Sequence, residues 1–304
     1  MASFLSRAAE LFLLLLIYSF LGWCGEMVYC SIGQRHLCEK RGFLNGPLCP
    51  IYGHGALLVL LALGDRWDTP ALTFLVGMAL TTAVEYVTSY AMEKLFHMRW
   101  WDYSRYKLQV NGRVCLVNSL LFGCACLALR YAVHPRVMAG VDWLFARGAA
   151  LPLAAVLFVL YAADIVLSVR SAIQIGSRLE KLHAIHDELA EKLEQLKEEQ
   201  RRAMEAQRQR LEAAAQAARS SLAEHTAQAQ QAARARLEPL AELGNEFSQR
   251  LEKARSEAQQ RARDLYEKQD IFERRLMRSF PALHSPRHGE MLKTLREYWE
   301  NRKK

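Results

Sequence analysis

Long apolar runs constrain this chain more than any other feature. A helix that crosses a bilayer needs about 20 mostly apolar residues. Four stretches supply them: 9–30, interrupted only by Glu26; 70–92, with Glu85 inside; 114–133; and 149–170, with Asp164 near its far end. A fifth run, "CPIYGHGALLVLLALG" at 49–64, is short and carries His54. Pro50 and Gly53 interrupt helical hydrogen bonding at its start, so this span could begin as a re-entrant segment. The first run has no small-residue cleavage site after it and reads as a retained helix. Five spans put the two termini on opposite sides.

Composition changes abruptly after the fifth run. Residues 1–172 read as a transmembrane helical domain and hold all seven cysteines. Their odd number, with several inside apolar runs, points to reduced thiols and not to a secreted disulfide framework. Beyond them the chain is dominated by Ala, Gln, Arg, Glu and Leu, without cysteine. Lys and Arg collect in alternate connections: Arg35, Lys40 and Arg41, then Lys94, Arg99, Arg105, Lys107 and Arg113, then the basic tail. Positive residues accumulate on the cytoplasmic side. The sequence therefore predicts a multi-pass cell-membrane protein, its N-terminus outside and its C-terminus cytoplasmic.

The two larger cytoplasmic connections share a pattern. "NGPLC" at 45–49 is matched by "NGRVC" at 111–115, and each follows a helix with one glutamate, "EMVYC" at 26–30 and "EYVTS" at 85–89. A duplicated helix–loop–helix unit in parallel orientation would explain the match, a kind of internal symmetry found in transporters. Asn45-Gly46 and Asn111-Gly112 supply turns that tolerate positive φ. The residues after them open the next helix, where free N–H groups, with Arg41 or Arg113 nearby, favour an anion. The plainer alternative is a good turn beside orientation-setting arginines.

Glu26 and Glu85 are the sharpest candidates. A carboxylate inside a span is costly unless it is paired, protonated or facing water. Either the two form a polar pair contacting a substrate or a proton, or each clamps a basic loop residue such as Arg41 or Arg113. Tyr52 opens the second span, and one turn inside it His54 is expected to be a buried, hydrogen-bonded side chain. "HMRWWDYS" at 97–104 reads as an interfacial belt, with Trp100, Trp101 and Tyr103 at headgroup depth and Arg99 able to pair with Asp102. No paired cysteine spacing suggests a metal centre.

Four of these stretches carry a resemblance: "YSFLGWCGEMVY", "RGFLNGPLCPIYGHG", "EYVTSYAMEKLFHMRWWDYS" and "NGRVCLVNSLLFG". They resemble the bacterial family described as "putative ABC-transporter permease, type IV". The likeness covers residues 8–135 and extends more weakly through the fifth span. "RRLMRSFPALHS", near the C-terminus, is similar to the tail of many members. The resemblance implies a transport permease; the chain departs from the family in a long Ala/Gln-rich insertion before that tail.

In the second half, Leu179, Leu182, Leu189, Leu193 and Leu196 fall at coiled-coil steps, with His186 filling one core position. Residues 173–280 read as a cytoplasmic coiled coil with a kink or turn near 237–245, where Pro239 and Gly244 interrupt the run. A helical hairpin folding back there and a kinked parallel oligomer both fit. Residues 281–304 complete a basic tail that could touch anionic lipid.

The fold expectation is thus all-α: a polytopic transmembrane helix bundle, then a long cytoplasmic coiled-coil region. No G-x-x-x-x-G-K-[ST] sequence is present, so an ABC permease built from this chain would need a separate ATPase subunit. Nucleophile-elbow, H-E-x-x-H and Rossmann patterns are likewise missing, and no enzyme activity or cofactor is expected. Nor is nucleic acid. Two readings stand: a transport subunit that forms a homo-oligomer and sits in membrane lipid, or a non-transporting scaffold or sensor that assembles partners through the coil.

Overall fold

Proline begins three of the helices in the apolar half. The computed structural model describes residues 2–34, 42–64, 69–220, 226–268, 271–280 and 282–301. Helix α1 is Ala2–Gln34; α2 (Pro50–Leu63) and α3 (Pro70–Phe96) each start on proline, and α5 (His134–Ala146) has Pro135 in its first turn. A first-turn proline sacrifices an amide that would have no helical partner anyway. Helix α4 (Leu116–Ala128) runs into α5 through a π turn at Leu129–Val133, where the His134 N–H donates to the Leu129 carbonyl. Pro135 lacks the amide that would bond Tyr131, and the wider turn accommodates that loss. Helix α6 (Ala150–Ser220) is followed by α7 (Thr226–Glu267), α8 (Ile271–Ser279) and α9 (Gly289–Asn301). The all-α expectation is met except for one two-stranded ribbon. Its strands, β1 (Gln109–Val110) and β2 (Val114–Cys115), pair antiparallel, with Gln109 opposite Cys115 and Val110 opposite Val114.

Four helical stretches are long and apolar enough to cross a membrane: Ser3–Ile32, Pro70–Phe96, Leu116–Ala146 and the start of Ala150–Gln216. Helix α2 has 14 residues, about 21 Å at 1.5 Å per residue, and falls short of the roughly 30 Å hydrocarbon layer. The Cys49 N–H donates to the Ser19 carbonyl at 3.0 Å, so α2 starts beside the middle of α1, after a bent, non-helical stretch at 42–49.

Small residues set the helix spacing, as expected where apolar lipid offers no drive to associate. A Cβ added at Gly77 would lie 2.6 Å from the Cys126 Cβ, and one added at Gly53 would collide with Ser19. Leu14 and Tyr18 of α1 pack with Ala56 of α2 and Val141 of α5, while Ala9 and Leu13 pack with Ala150 and Ala154 of α6. These contacts run α2 antiparallel to α1 and α6 parallel to it. Leu75, Val87, Phe158, Val159, Leu160 and Val166 point outward and exposed, as lipid-facing side chains do. This is a membrane protein.

The chain divides into two units, one formed by residues 1–179 with 269–304, the other by 180–268. In the second unit α6 and α7 lie antiparallel. Arg261 meets Glu188 at 3.0 Å and Arg250 meets Glu199 at 3.6 Å. The two pairs share one register, whose midpoint falls between the end of α6 and the start of α7. The reversal is thus not at 237–245: α7 runs without interruption through Pro239 and Gly244. His186 is not a core residue either. Its side chain is exposed and lies 3.7 Å from Asp187, while Phe247 and Ala254 of α7 are the buried positions.

A pair of cysteines placed at 188 and 261 should therefore link within one chain. Treating membranes that hold the double variant with a short bis-maleimide should give a faster-running monomer on a denaturing gel. A dimer-sized product instead would mean that α6 and α7 pair between chains.

Candidate functional site

The stretch 42–49 is held by a carboxylate from another span. Asp164 of α6 accepts from the Asn45 N–H (2.8 Å) and the Asn45 Nδ2 (2.9 Å) through Oδ1, and from the Gly46 N–H (2.7 Å) through Oδ2. Asn45 Nδ2 also donates to Ser168 Oγ at 3.0 Å. The anion favoured by the Asn-Gly turn is therefore built into the chain. At the second loop the same dipeptide behaves differently: Asn111 and Gly112 adopt positive φ, 53° and 68°, and turn β1 into β2. Only there does the left-handed turn form. In both loops the cysteine that ends the motif is an extended N-cap, Cys49 for α2 and Cys115 for α4.

The C-terminal segment completes the first loop. Arg275 of α8 donates to Asn45 Oδ1 at 2.7 Å, to the Gly42 carbonyl at 2.9 Å and to the Leu44 carbonyl. Beside it, Arg178 of α6 meets the buried Glu273 at 3.0 Å. His284 and Arg99 exchange backbone bonds of 3.1 and 2.8 Å, and Ser285 Oγ donates to the His97 carbonyl at 3.1 Å. Trp100 sits edge-on to Phe43 and Phe280, with centroids 5.3 and 4.9 Å apart. "HMRWWDYS" is thus not a headgroup belt throughout, since Trp100 is almost wholly buried under the tail.

Among the described residues, Glu26 and Glu85 meet phenols. Tyr52 OH donates to Glu26 at 2.6 Å, and Cys30 Sγ lies 3.4 Å from the same carboxylate. Tyr103 OH donates to Glu85 at 3.0 Å and accepts from Asn118 Nδ2 at 2.6 Å. Burial, and then the Glu85 carboxylate, push the Tyr103 phenol well above its ordinary range, so it stays a neutral donor. Glu85 is 6 % exposed, and its Oε2 has no hydrogen-bond partner among the described residues. Tyr52 stacks edge-on against Phe122, one turn beyond Asn118 on α4, with centroids 6.1 Å apart. The Glu26–Tyr52 pair and the Glu85–Tyr103 pair thus both approach α4, one at Phe122 and the other at Asn118, one turn apart.

The clamp on the basic loop residues is Glu93, one that sequence reasoning missed. It binds Arg99 at 2.7 Å and Arg113 at 2.8 Å, and Arg113 also lies over the rings of Tyr86 and Tyr90. Arg99 is therefore not the partner of Asp102, whose Oδ1 accepts from the Ser104 amide (2.9 Å) and hydroxyl (2.5 Å). Hydrogen bonds that outweigh burial hold the Asp102 carboxyl below its usual range. Trp101 Nε1 donates to the Arg113 carbonyl at 3.0 Å, and Asn111 Nδ2 donates to Tyr86 OH at 2.9 Å. His54 is exposed, not buried, with Nδ1 2.8 Å from the Pro50 carbonyl one turn back. Arg41 lies outside the described residues. Asp164 and Arg275 were legible only indirectly, one as the charge interrupting an apolar run and the other inside the family-like tail motif.

A family model described as "Putative ABC-transporter type IV" matches residues 13–169. The chain belongs to that family. The match takes in every membrane-half residue of the site, from Glu26 and Asn45 through Glu85, Arg113 and Asn118 to Asp164, and ends before Arg178 and Arg275. No curated protein and no solved structure matches the chain.

Asp164→Asn tests the loop anchor that the type IV family's first loop uses here. The amide would turn an N–H toward a donor and remove the charge. Charged hydrogen bonds of this kind contribute about 1.5–3 kcal/mol each. The variant should unfold at a clearly lower temperature in mild detergent, as followed by circular dichroism, whereas Asp102→Asn, on an exposed turn, should not.

Proposed function

We propose that this chain is the membrane subunit of a transport system, permease-like, that borrows its ATPase from a separate polypeptide. The observation that carries the reading is the Glu26–Glu85 interior. Two carboxylates, one on α1 and one on α3, are each held by a phenol that packs or bonds to α4, and one oxygen of Glu85 has no partner among the described residues. A site of that kind engages an ion or a substrate group passing through a bundle. Family membership supports the same reading. The chain itself supplies no catalysis; lipid is the surround and nucleic acid is not a partner.

The orientation belongs to the proposal. Helices α1, α3 and α6 run toward the two loops and the tail, while α2 and α4 run away. Counting the broken second span as a crossing, the ends of the membrane half lie on opposite sides. With the Lys/Arg bias of the loops, the tail is cytoplasmic and the N-terminus is outside. Self-association would involve the membrane half, because α6 finds its helical partner in α7. The hairpin 180–268, with a charged surface, favours a second reading, a scaffold that presents this arm to other proteins.

Purification of the full chain from the membranes of its host separates the two. The transport reading expects ATP hydrolysis to accompany the purified assembly. It also expects Glu85→Gln to insert and purify normally while failing to support the cellular role, with a milder loss for Glu26→Gln. Assemblies without ATP hydrolysis, together with wild-type behaviour of both variants, would leave the scaffold reading.

For orientation, single cysteines at Thr69 and Glu290 can be labelled with an impermeant maleimide in intact cells. Residue 69 should label from outside and residue 290 only after permeabilisation. Labelling of 290 in intact cells would reverse the topology.

A further inference from the structure

The C-terminal segment is more than a tail that follows the long hairpin. Arg275 occupies a receptor made for a guanidinium: two backbone carbonyls and the Asn45 amide oxygen accept from it, and the Asp164 carboxylate lies on the far side of the same asparagine. A forked, planar cation fits such a set of acceptors, and a point charge does not. Just inside this layer is Cys49, buried, with Gly42 folded against its sulfur. The next turn inward is Tyr52 on Glu26. Cys49 thus connects the two layers: Gly42, which Arg275 binds, lies against its sulfur, and Tyr52, which binds Glu26, follows one turn on.

We propose that residues 271–301 form a removable strap that closes the tail-side end of the Glu26–Glu85 interior, with Arg275 as its bolt. Covalently, the strap is joined to the rest of its unit only through 180–268. Its interface also carries polar atoms without partners: Arg275 Nε and Trp100 Nε1 are buried with no hydrogen bond among the described residues. An interface with such orphaned donors holds less tightly than a satisfied core. When Arg275 leaves, Gly42, Leu44 and Asn45 lose their shared ligand, and the bent stretch 42–49 is released from the tail side. Asp164, Ser168 and the Cys49–Ser19 backbone bond then hold that stretch.

This builds on the proposed transport site but is tested without any transport measurement. The native cysteines are the reporters. The full chain in membranes is treated with a small maleimide for increasing times, and alkylation of each cysteine is read by peptide mass spectrometry. Cys49 should react slowly in the wild type. Arg275→Ala should raise its rate at least tenfold, leaving the buried Cys115 of the second loop protected and the exposed Cys124 unchanged. Arg275→Lys keeps the charge and the aliphatic stem but not the fork, and it should give an intermediate rate with Cys115 still protected. Should Arg275→Ala expose Cys115 as well, the lysine variant decides. Wild-type protection of Cys49 in Arg275→Lys in that case, or in Arg275→Ala when Cys115 stays protected, overturns the strap. Wild-type behaviour of Glu85→Gln would leave this result untouched, so the two proposals fail separately.

Discussion

The Asp164 carboxylate organises the membrane half. It sits in a span, where an unsatisfied charge is expensive, and it is satisfied by two backbone amides and a side-chain amide of a loop that is distant in sequence. Those amides are free to donate because 42–49 is bent and not helical. In lipid a non-helical stretch is tolerated only where protein covers its polar groups. Asp164 takes the donors and Arg275 takes the acceptors, and each accounts for what the other cannot reach. The shortness of α2 follows from the same arrangement, because the residues that would lengthen it are committed to Asp164, Ser168 and Arg275.

The glutamates divide by the same physical rule into two kinds. Glu93, at the loop end of α3, has two arginines and ties the second loop to that helix. Glu85, two turns deeper, has one phenol and an open oxygen. Moving either arginine to Glu85 would take a guanidinium from its partly exposed partner into the bundle at a cost in desolvation. Arg113, itself buried, is instead held by Glu93, by Ser89 Oγ and by the faces of Tyr86 and Tyr90. The contrast marks Glu85 as a group that the fold positions without neutralising.

Much of this was legible in the residues. Apolar run length located the four long spans, because lipid leaves the backbone little choice but helix. The paired Asn-Gly motifs located the two loops and the starts of α2 and α4. What escaped was long-range partnership. Arg113 looked like a partner for Glu85, since any nearby opposite charge would serve on paper, yet Glu93, just one more acidic residue near a helix end, holds it. Trp100 read as a membrane-interface residue because tryptophan favours that depth; it is buried because Phe280, far along the chain, covers it. Pro239 read as a turn because proline removes a helical bond, and the helix nevertheless continues through it. His186 fitted the heptad count, but the seam follows α7, whose buried residues are Phe247 and Ala254.

The antiparallel pairing of α6 and α7 also explains how a long insertion is compatible with a docked tail. A helical hairpin returns the chain toward the point where it left, whatever its length, so lengthening both arms equally leaves the two ends as neighbours. Arg178 and Glu273, which flank the insertion, meet at 3.0 Å within the membrane unit. A single long helix, or a parallel coil between chains, would carry α8 away from Asn45 by about 1.5 Å for every residue added. The Arg275 contacts therefore demand a reversal somewhere in 180–268, and the register of Glu188 with Arg261 and Glu199 with Arg250 places it between α6 and α7. Insertion length is then free to vary, whereas the reversal of direction is not.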